Sequence, residues 1–462
     1  MALNQYTPEE PISSIATALA PAALGIVRVS GKGCIELVSK VFSRPKALLE
    51  APGNTLVYGW IQKIDEVMCA VYRAPKSYTG EDMVEIFCHG GPAVVTAIQN
   101  LMLKSGFRQA NRGEYTFRAY INGKTDLTKA EAVREIIDSH TDDSRSHAAG
   151  RLAGALYEEI DSIKKLIVDT VAAIEVEIEY PEDEENFSDT FDCSNLEQAV
   201  NRLQSLVDSW KGEKLYQDGA RVVLAGRTNA GKSSLFNAIL KEERAIVSDI
   251  EGTTRDWLES WASINGIPVR LFDTAGLRNT DDVIEAKGVE ISKSLVHEAD
   301  VVLYLIDSSE GMNEEDKAFV ENCTVPLIIV WTKTDLPSLR GASTPSSLRA
   351  QRGNLRHSSE VSLSSKTGFG FSELFDKIQT LLTAGLSTER TQAGLGSARQ
   401  KDAVAEALER VKHALAAASD DYSLDAVVQD LEDALDSLGE VTGIVTPDDV
   451  LGTIFANFCV GK

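Results

Sequence analysis

Apolar residues recur every three or four positions in the stretch that follows residue 125, which predicts long amphipathic helices there. We expect one long helix with a single apolar stripe, then an acidic break at 181–185, then a second helix. The first stripe consists of Leu152, Leu156, Ile160, Ile163, Ile167, Val171, Ile174 and Ile178, and the second of Leu196, Val200, Leu203, Val207 and Trp210.

The same period returns after residue 390. Its members are Val404, Leu408, Val411, Leu415, Val427, Leu431, Leu435 and Leu438. An amphipathic stripe must be buried against another element, and neither half has an obvious partner of its own. Two arrangements are open: two independent hairpins, or one bundle built from both halves with another domain inserted between them. The single bundle is the more economical, and we favour it.

Two other regions show the shorter periods of strands. Over residues 1–125, alternation at 25–30 and 82–88 predicts strands, and helical spacing appears at 35–41 and 93–103. Over 215–385, continuous apolar runs at 222–225, 269–272, 301–306, 326–330 and 361–364 are typical of a parallel sheet covered on both faces. The fold class is therefore α/β plus α, with helical halves at 126–214 and 386–462.

Composition and charge restrict which partners the protein can bind and indicate its cellular location. The chain has 462 residues, 43% of them hydrophobic, and a formal net charge of −24, which repels nucleic acid over most of the surface. The arginine-rich loop 336–359, with four arginines and no acidic residue, is more typical of a solvated loop than of an RNA-binding patch. There is no apolar run near the ~18 residues of a membrane span. Residues 1–10 lack a secretory pattern. The six cysteines are scattered, which excludes a C-x-x-C zinc site and favours a reducing, cytoplasmic location.

The strand at 222–225 ends in a glycine-rich sequence that fits G-x-x-x-x-G-K-[ST]. Glycines at 226 and 231 let backbone N–H groups curl round a polyphosphate, Lys232 reaches the outer phosphates, and the Ser233 hydroxyl can bind Mg²⁺. The alternative is a glycine turn that fits by chance, and the flanking strand and helix argue against it. The sequence predicts a nucleotide-phosphate site.

Four companion motifs follow in the order that a GTPase requires. Asp273 can hold Mg²⁺ through water, Thr254 can complete the Mg²⁺ shell, and the N–H of Gly276 can meet the γ-phosphate. Asp335 can accept both N–H groups on one edge of guanine, with the Lys333 stem on the base. The last motif, which offers backbone to the guanine carbonyl, is Ser364, Ser365 and Lys366.

Two positions set this GTPase apart from the Ras type. Leu277 follows the Asp-Thr-Ala-Gly motif, where a glutamine would orient the attacking water, so another group must do so. No arginine is evident that would reach the transition state, although Arg227 and Arg255 lie near the motifs in sequence.

Three groups of motifs resemble one known family. They lie at 25–31, 77–91 and 113–124 in the N-terminal region, at 252–256 and 273–278 in the GTPase region, and at 458–462, which reads Phe-Cys-Val-Gly-Lys. On these motifs the whole chain resembles the MnmE (TrmE) family of tRNA-modification GTPases.

The resemblance implies an architecture and a set of partners. The implied domains are an N-terminal α/β folate-binding and dimerisation domain (1–125), a discontinuous helical domain (126–214 and 386–462) and an inserted Ras-like P-loop G domain of the TrmE type (215–385). It implies a homodimer that joins an FAD-containing MnmG (GidA) partner, as a heterotetramer. The complex would add an aminomethyl or carboxymethylaminomethyl group to C5 of the wobble uridine of certain tRNAs.

The resemblance also implies site residues. Glu285 would position water, and Cys459 in the C-terminal signature would be catalytic. K⁺ would be held by Asn229, Ser248, Ile250 and Thr253, and Mg²⁺ by Ser233 and Thr254. Formyl- or methylene-tetrahydrofolate would be bound by Arg28, Glu85, Lys124 and Lys462. The residues that would contact GTP are Asn229, Ala230, Gly231, Lys232, Ser233, Ser234, Ser248, Asp249, Ile250, Glu251, Gly252, Thr253, Thr254, Asp273, Thr274, Ala275, Gly276, Lys333, Asp335, Ser364, Ser365 and Lys366.

Two residues depart from the family pattern. Thr228 replaces a proline in the phosphate loop, which predicts a slightly less rigid loop. Thr332 replaces the asparagine of the guanine motif, and we expect this to cost about 1 kcal/mol of base or loop-bridging interaction.

Other functions share some of these features. A ribosome-assembly or regulatory GTPase switch would use the same G motifs without tRNA chemistry, and a folate-dependent methyltransferase would give a methylated product. The chain end distinguishes the switch from the enzyme. We expect Phe455 and Phe458 to seat the tail in an apolar cleft, so that Cys459 and Lys462 reach the folate pocket; the alternative is a frayed terminus.

Overall fold

A computed structural model shows twelve strands in the part of the chain that it describes, and seven of them overlap the apolar runs predicted from the sequence. The model describes residues 10–179, 193–242, 258–273, 295–335, 358–384, 386, 393–419, 424–446 and 448–461. The strands are β1 Ile12–Ile15, β2 Ala22–Ser30, β3 Thr55–Ile61, β4 Asp65–Tyr72, β5 Met83–Gly90, β6 Arg108–Gln109, β7 Ala220–Gly226, β8 Leu258–Ile264, β9 Ile267–Asp273, β10 Val301–Asp307, β11 Leu327–Thr332 and β12 Ser358–Ser362.

Helices connect and cover these strands. In chain order they are α1 Cys34–Ser39, α2 Pro45–Leu49, α3 Pro92–Lys104, α4 Glu114–Ile121, α5 Leu127–Asp138, α6 Asp142–Ala153, α7 Ala155–Glu179, α8 Ser194–Asp218, α9 Lys232–Glu242, α10 Glu314–Asn322, α11 Phe371–Leu382, α12 Ala398–Ser419, α13 Leu424–Thr442 and α14 Asp448–Ala456. No helix in the described ranges is long and apolar enough to cross a membrane.

The chain forms two compact units. One comprises Met1–Arg134, Arg151–Gln204 and Ser397–Lys462, and the other comprises Glu135–Gly150 and Ser205–Gly396. The fold class predicted from the sequence is confirmed, since each unit has the expected sheet or helices. The domain boundaries at 125, 214 and 385 stay predictions.

The N-terminal sheet of the first unit has six strands in the order β3-β4-β5-β2-β1-β6. The predicted strands are β2 and β5, which pair antiparallel and place Arg28 opposite Glu85. The sequence prediction missed β3 and β4, whose outer faces carry the exposed apolar side chains Tyr58, Trp60 and Met68. With apolar residues on both faces, β3 and β4 lack the clean alternation that marks a half-buried strand.

The helices of both halves form one bundle, as predicted. Helix α13 packs against α12 and against α7, although α7 lies far away in the sequence. Lys412 of α12 donates a hydrogen bond from Nζ to Oε1 of Gln204 in α8 at 3.2 Å. Leu156, Ile160 and Ile167 of the first stripe are fully buried.

The first stripe does not lie on one helix, and that prediction was wrong at its amino-terminal end. Gly154 has φ +108°, which ends α6 before α7 begins at Ala155. This left-handed backbone is open to glycine at little cost and interrupts the helix. Leu152 therefore belongs to α6 and is 38% exposed, and Ile178 near the far end is 42% exposed.

The second unit contains a six-stranded sheet in the order β12-β11-β10-β7-β9-β8. Five strands are parallel and match the five predicted runs, and β8 adds an antiparallel edge. Apolar clusters cover both faces of the sheet. Parallel strands that all run the same way bring their carboxyl ends to one edge, and this edge carries the candidate nucleotide site.

Candidate functional site

The phosphate loop begins where β7 ends, at Gly226. This residue has φ +135°, and a Cβ built on it would lie 2.4 Å from the carbonyl oxygen of Leu305 in β10. Only glycine fits there. At the other end of the loop, Gly231 has φ +94° and α9 begins directly after it, at Lys232. The backbone N–H groups of the loop therefore lie next to the amino-terminal, positive end of α9. This is the arrangement that binds phosphate.

Lys232 lies inside the curl of this loop. Its Nζ donates to the carbonyl oxygens of Gly226 at 2.9 Å and Arg227 at 2.7 Å, and the residue is 8% exposed. Asn229, at the tip of the loop, has φ +63°, a left-handed conformation that asparagine tolerates better than most residues. The ammonium group is thus held where the loop can present it to a phosphate.

Ser233 and Asp273 form a pair of hard oxygen ligands. The Ser233 hydroxyl donates to Oδ2 of Asp273 at 2.8 Å, and Asp273 is 2% exposed at the end of β9. A hydroxyl and a carboxylate oxygen at this distance suit Mg²⁺, which accepts few protein ligands and otherwise keeps water. The two residues predicted from separate motifs are brought together.

The guanine motif lies at the ends of β11 and β12. Lys333, with φ +56°, pairs through Nζ with Oδ2 of Asp307 at 2.6 Å. Burial alone would raise the pKa of Asp307, but hydrogen bonds from Lys333 and Ser309 outweigh it and hold this pKa below its ordinary value. Asp335 accepts a hydrogen bond from Oγ of Ser364 at 2.8 Å. The guanine motif and the last motif, Ser364 to Lys366, are therefore in contact.

Ser365 and Lys366 continue the turn that begins at Ser364, half-buried and exposed respectively, and Ser234 is exposed in the first turn of α9. Sequence reasoning missed Asp307. Its only signal was an acidic residue at the end of a buried run, which many strands share.

Thr332 ties the guanine motif to the phosphate loop. Its hydroxyl lies 2.7 Å from the carbonyl oxygen of Ala230 and 3.2 Å from that of Ile306, and the residue is 2% exposed. A bridge between the two motifs is therefore present, and the expected cost of threonine in place of asparagine stays a prediction.

We predict that Asp335→Asn weakens GTP binding much more than Thr332→Ala. The carboxylate of Asp335 would make two charge-assisted bonds to guanine, so its loss should raise the Kd roughly tenfold or more. Removal of the Thr332 bridge should cost about 1 kcal/mol, or roughly fivefold in Kd. A titration with a fluorescent GTP analogue measures both, and equal losses would contradict the assignment of Asp335 to guanine.

Several predicted site residues lie outside the described residues. They are Glu285, Lys462, Ser248, Asp249, Ile250, Glu251, Gly252, Thr253, Thr254, Thr274, Ala275 and Gly276. Their roles stay predictions. Most of the arginine-rich loop lies outside as well, and its last residues, Ser358 and Ser359, begin β12.

A second cluster lies in the N-terminal sheet of the other unit. Arg28 pairs with Glu85 across β2 and β5, with Nη2 and Oε1 2.7 Å apart. The Tyr72 hydroxyl donates to the other carboxylate oxygen of Glu85 at 3.3 Å, and the Arg28 guanidinium lies 5.7 Å from the ring centre of Tyr78. Tyr72 and Tyr78 were not among the predicted residues. The predicted Lys124 is exposed and donates from Nζ to the carbonyl oxygen of Pro75 at 3.0 Å.

The described part of the C-terminal tail, residues 457–461, lies against the same sheet. Arg28 donates from Nη1 to the carbonyl oxygen of Gly461 at 2.9 Å, and Val460 forms an antiparallel bridge with Arg112. Phe458 is 3% exposed and Cys459 is exposed. The tail is therefore not frayed as far as Gly461, and it contacts Arg28, one of the residues that the resemblance assigns to the folate pocket. The expected roles of Cys459 and Lys462 at that pocket stay predictions.

Family models and named proteins match this chain along its length. The family model described as GTP-binding protein TrmE N-terminus matches residues 11–124, and the one described as MnmE helical domain matches residues 127–459. The tRNA modification GTPase MnmE of Treponema denticola is 49% identical over 100% of both chains. Proteins of the same name from Treponema pallidum (43% identity, 100% of both chains) and Borrelia turicatae (40%, 99% of this chain and 100% of the relative) also match.

These matches run through the N-terminal sheet, the bundle and the inserted GTPase sheet alike, so they cover every part of the chain in which a candidate site lies. The chain therefore belongs to the MnmE family of tRNA modification GTPases.

Proposed function

We propose that this protein acts with an FAD-containing MnmG (GidA) partner to add an aminomethyl or carboxymethylaminomethyl group to C5 of the wobble uridine of certain tRNAs. The observation that carries the proposal is the docked tail. Arg28 donates to the carbonyl oxygen of Gly461, and the exposed Cys459 comes two residues before Gly461 in the chain. A GTPase that acts only as a switch has no need of a cysteine-bearing tail held at this cluster.

The cluster also fits a folate. The carboxylate of Glu85 can accept from the N–H edge of a pterin, the Arg28 cation suits the glutamate tail, and the rings of Tyr72 and Tyr78 flank them. Lys124 and Lys462 would add further positive charge. Formyl- or methylene-tetrahydrofolate, when bound, supplies the one-carbon unit of the added group.

The GTPase site fits its two metals to different degrees. The Ser233 hydroxyl and the Asp273 carboxylate lie together. Ser233 and Thr254 would hold Mg²⁺, Asp273 would hold it through water, and the ion would supply positive charge to the phosphates. Asn229 at the loop tip would hold K⁺ with Ser248, Ile250 and Thr253. Glu285 would position water, since Leu277 cannot.

We also propose a homodimer formed through the N-terminal domains, which pairs with the flavoprotein as a heterotetramer. The outer face of β3 and β4 supports it. The sheet ends at β3, and Leu56, Tyr58, Trp60 and Met68 are between 45% and 61% exposed there. An exposed apolar patch at a sheet edge is typical of an interaction surface.

The proposed activity is tested by mass spectrometry of nucleosides from tRNA treated with this protein, its flavoprotein partner, GTP, a folate and an amine donor. We expect a modified wobble uridine only when both proteins are present. Unmodified tRNA together with normal GTP hydrolysis would favour a ribosome-assembly or regulatory switch. A methyl group on the uridine would indicate a folate-dependent methyltransferase.

We predict that K⁺ stimulates GTP hydrolysis. A cation beside the phosphates would supply the charge that an arginine supplies in other GTPases, and Asn229 in the phosphate loop carries an amide oxygen that would bind it. Turnover is measured in KCl and in NaCl at equal ionic strength. Asn229→Ala should lose the difference between the two salts. Equal turnover of the wild-type protein in both salts would exclude the K⁺ site.

A further inference from the structure

Arg227, the first residue after Gly226 in the phosphate loop, has its guanidinium engaged at three nitrogens. Nε lies 3.2 Å from Oδ2 of Asp316, Nη2 donates to the carbonyl oxygen of Gly311 at 2.7 Å, and Nη1 lies 3.2 Å from Glu310. All three partners belong to the segment that follows β10. The Arg227 guanidinium is therefore occupied by contacts within the protein.

Asp316, the principal partner, is an acidic residue with no exposed surface. Its Oδ2 also accepts from the backbone N–H of Asn313, and its Oδ1 accepts from the Tyr304 hydroxyl at 2.8 Å. Burial, together with the neighbouring Asp316 carboxylate, raises the pKa of Tyr304, so this hydroxyl stays protonated and able to donate. Arg227, Asp316 and Tyr304 form a buried network, which we name the loop brace.

The loop brace acts on both ends of the nucleotide site. On the phosphate side, the carbonyl oxygen of Arg227 is one of the two acceptors for Lys232 Nζ. On the guanine side, the backbone N–H of Gly311 donates to the carbonyl oxygen of Asp307, and the Asp307 side chain holds Lys333. A buried carboxylate that is fixed by several donors leaves its arginine partner little freedom.

We propose that Arg227 is a positioning residue for GTP binding, which fixes the phosphate loop to the Asp307 turn through the buried carboxylate of Asp316. The inference rests on the proposed nucleotide site. Thr332 makes a second such tie, to Ala230.

The test separates positioning from transition-state stabilisation and from fold stability. In Arg227→Met we expect the KM for GTP to rise roughly tenfold with kcat nearly unchanged, because the loop must be ordered at the cost of binding energy. Arg227→Lys keeps the charge beside Asp316 but loses the separate nitrogen that donates to Gly311. The KM of this variant should therefore lie between those of the wild-type protein and Arg227→Met. The matched control is Arg221→Met, which removes an exposed ion pair with Glu298 at the opposite end of β7 and should leave KM unchanged.

A double-mutant cycle gives the second measurement. If Arg227 acts through Asp316, then Arg227→Met and Asp316→Asn together should raise KM less than the product of their separate effects. The thermal midpoint of each variant is recorded alongside, and Tyr304→Phe replaces Asp316→Asn in the cycle if that variant fails to fold.

Three outcomes would overturn the proposal. They are an unchanged KM in Arg227→Met, independent effects in the cycle, or a fall in kcat at constant KM, which would make Arg227 a catalytic arginine. Lys232→Ala distinguishes a failure of the site from a failure of the loop brace. If that variant still binds GTP normally, the phosphate loop itself is misassigned; if it does not, the site stands whatever Arg227 shows.

Discussion

Deletion of residues 460–462 is expected to abolish tRNA modification while GTP hydrolysis by the same protein stays close to that of the intact chain. The deletion removes the carbonyl oxygen of Gly461 that Arg28 contacts and the bridge between Val460 and Arg112. Without these ties the last residues fray, as chain ends do when nothing holds them. The phosphate loop and guanine motif belong to the other compact unit and keep all their contacts.

Two measurements on the shortened protein check this prediction: the yield of modified uridine and the affinity for a folate. Both should fall, since Lys462 is also removed. Cys459→Ser is the companion variant, because it keeps the docked backbone and loses only the thiol. We expect it to impair modification, to bind folate normally and to hydrolyse GTP normally. Modification at the normal rate by the truncated protein would place the reaction elsewhere.

The long helical stripes were predictable from the sequence because burial of one helix face imposes a period that few other structures share. The break at Gly154 was not, since Leu152 and Leu156 keep the four-residue spacing across it. The period records which side chains are apolar, but it does not report the φ of the glycine between them.

The phosphate loop was predictable for a related reason. Its geometry depends on glycines at fixed spacing, as at Gly226, where the backbone of β10 leaves no room for a side chain. The loop brace was not predictable, because an arginine and an aspartate in two separate segments carry no shared local pattern. The same holds for Thr332 and Ala230, which are 102 residues apart, and for Arg28 and Gly461, which are 433 apart.

Thr332 shows what a departure from a family pattern leaves open. A hydroxyl in place of an amide suggests the loss of an interaction. The structure shows the Thr332 hydroxyl in contact with the carbonyl oxygen of Ala230, so the phosphate loop is still tied to the guanine motif. The sequence alone could not show this contact, because it joins two separate segments with no shared local pattern.

Substitution of Gly113 by alanine is expected to lower tRNA modification by one to two orders of magnitude without changing GTP hydrolysis. Gly113 precedes α4 with φ +69°, and a Cβ built on it would lie 2.6 Å from the carbonyl oxygen of Phe455 and 3.1 Å from Cβ of Phe458. Its N–H also faces the carbonyl oxygen of Cys459 at 3.4 Å. The 2.6 Å contact is with α14 itself, so the end of α14 must move away from Gly113 and take the tail that follows it along.

Gly33→Ala is the matched control for this prediction. Gly33 precedes α1 with φ +76° and ψ 10°, close to the φ +69° and ψ 4° of Gly113, so both variants carry the same left-handed backbone strain. The nearest atom to a Cβ on Gly33 is Oε2 of Glu36 at 3.9 Å, which leaves open space. The difference between the two variants isolates the clash with the tail. Overpacking of this kind costs about 1–3 kcal/mol, which corresponds to a roughly 5- to 150-fold change.

The position of the tail is measured directly by the alkylation rate of Cys459, followed by mass spectrometry of its peptide. In Gly113→Ala we expect faster alkylation and slower modification of tRNA, whereas Gly33→Ala should match the wild-type protein in both. If Gly113→Ala and Gly33→Ala lower modification equally, backbone strain accounts for the effect and the seat of the tail does not control the reaction. If Gly113→Ala alone fails and its alkylation rate rises, the docked position of the tail controls the reaction, as expected if Cys459 acts from it.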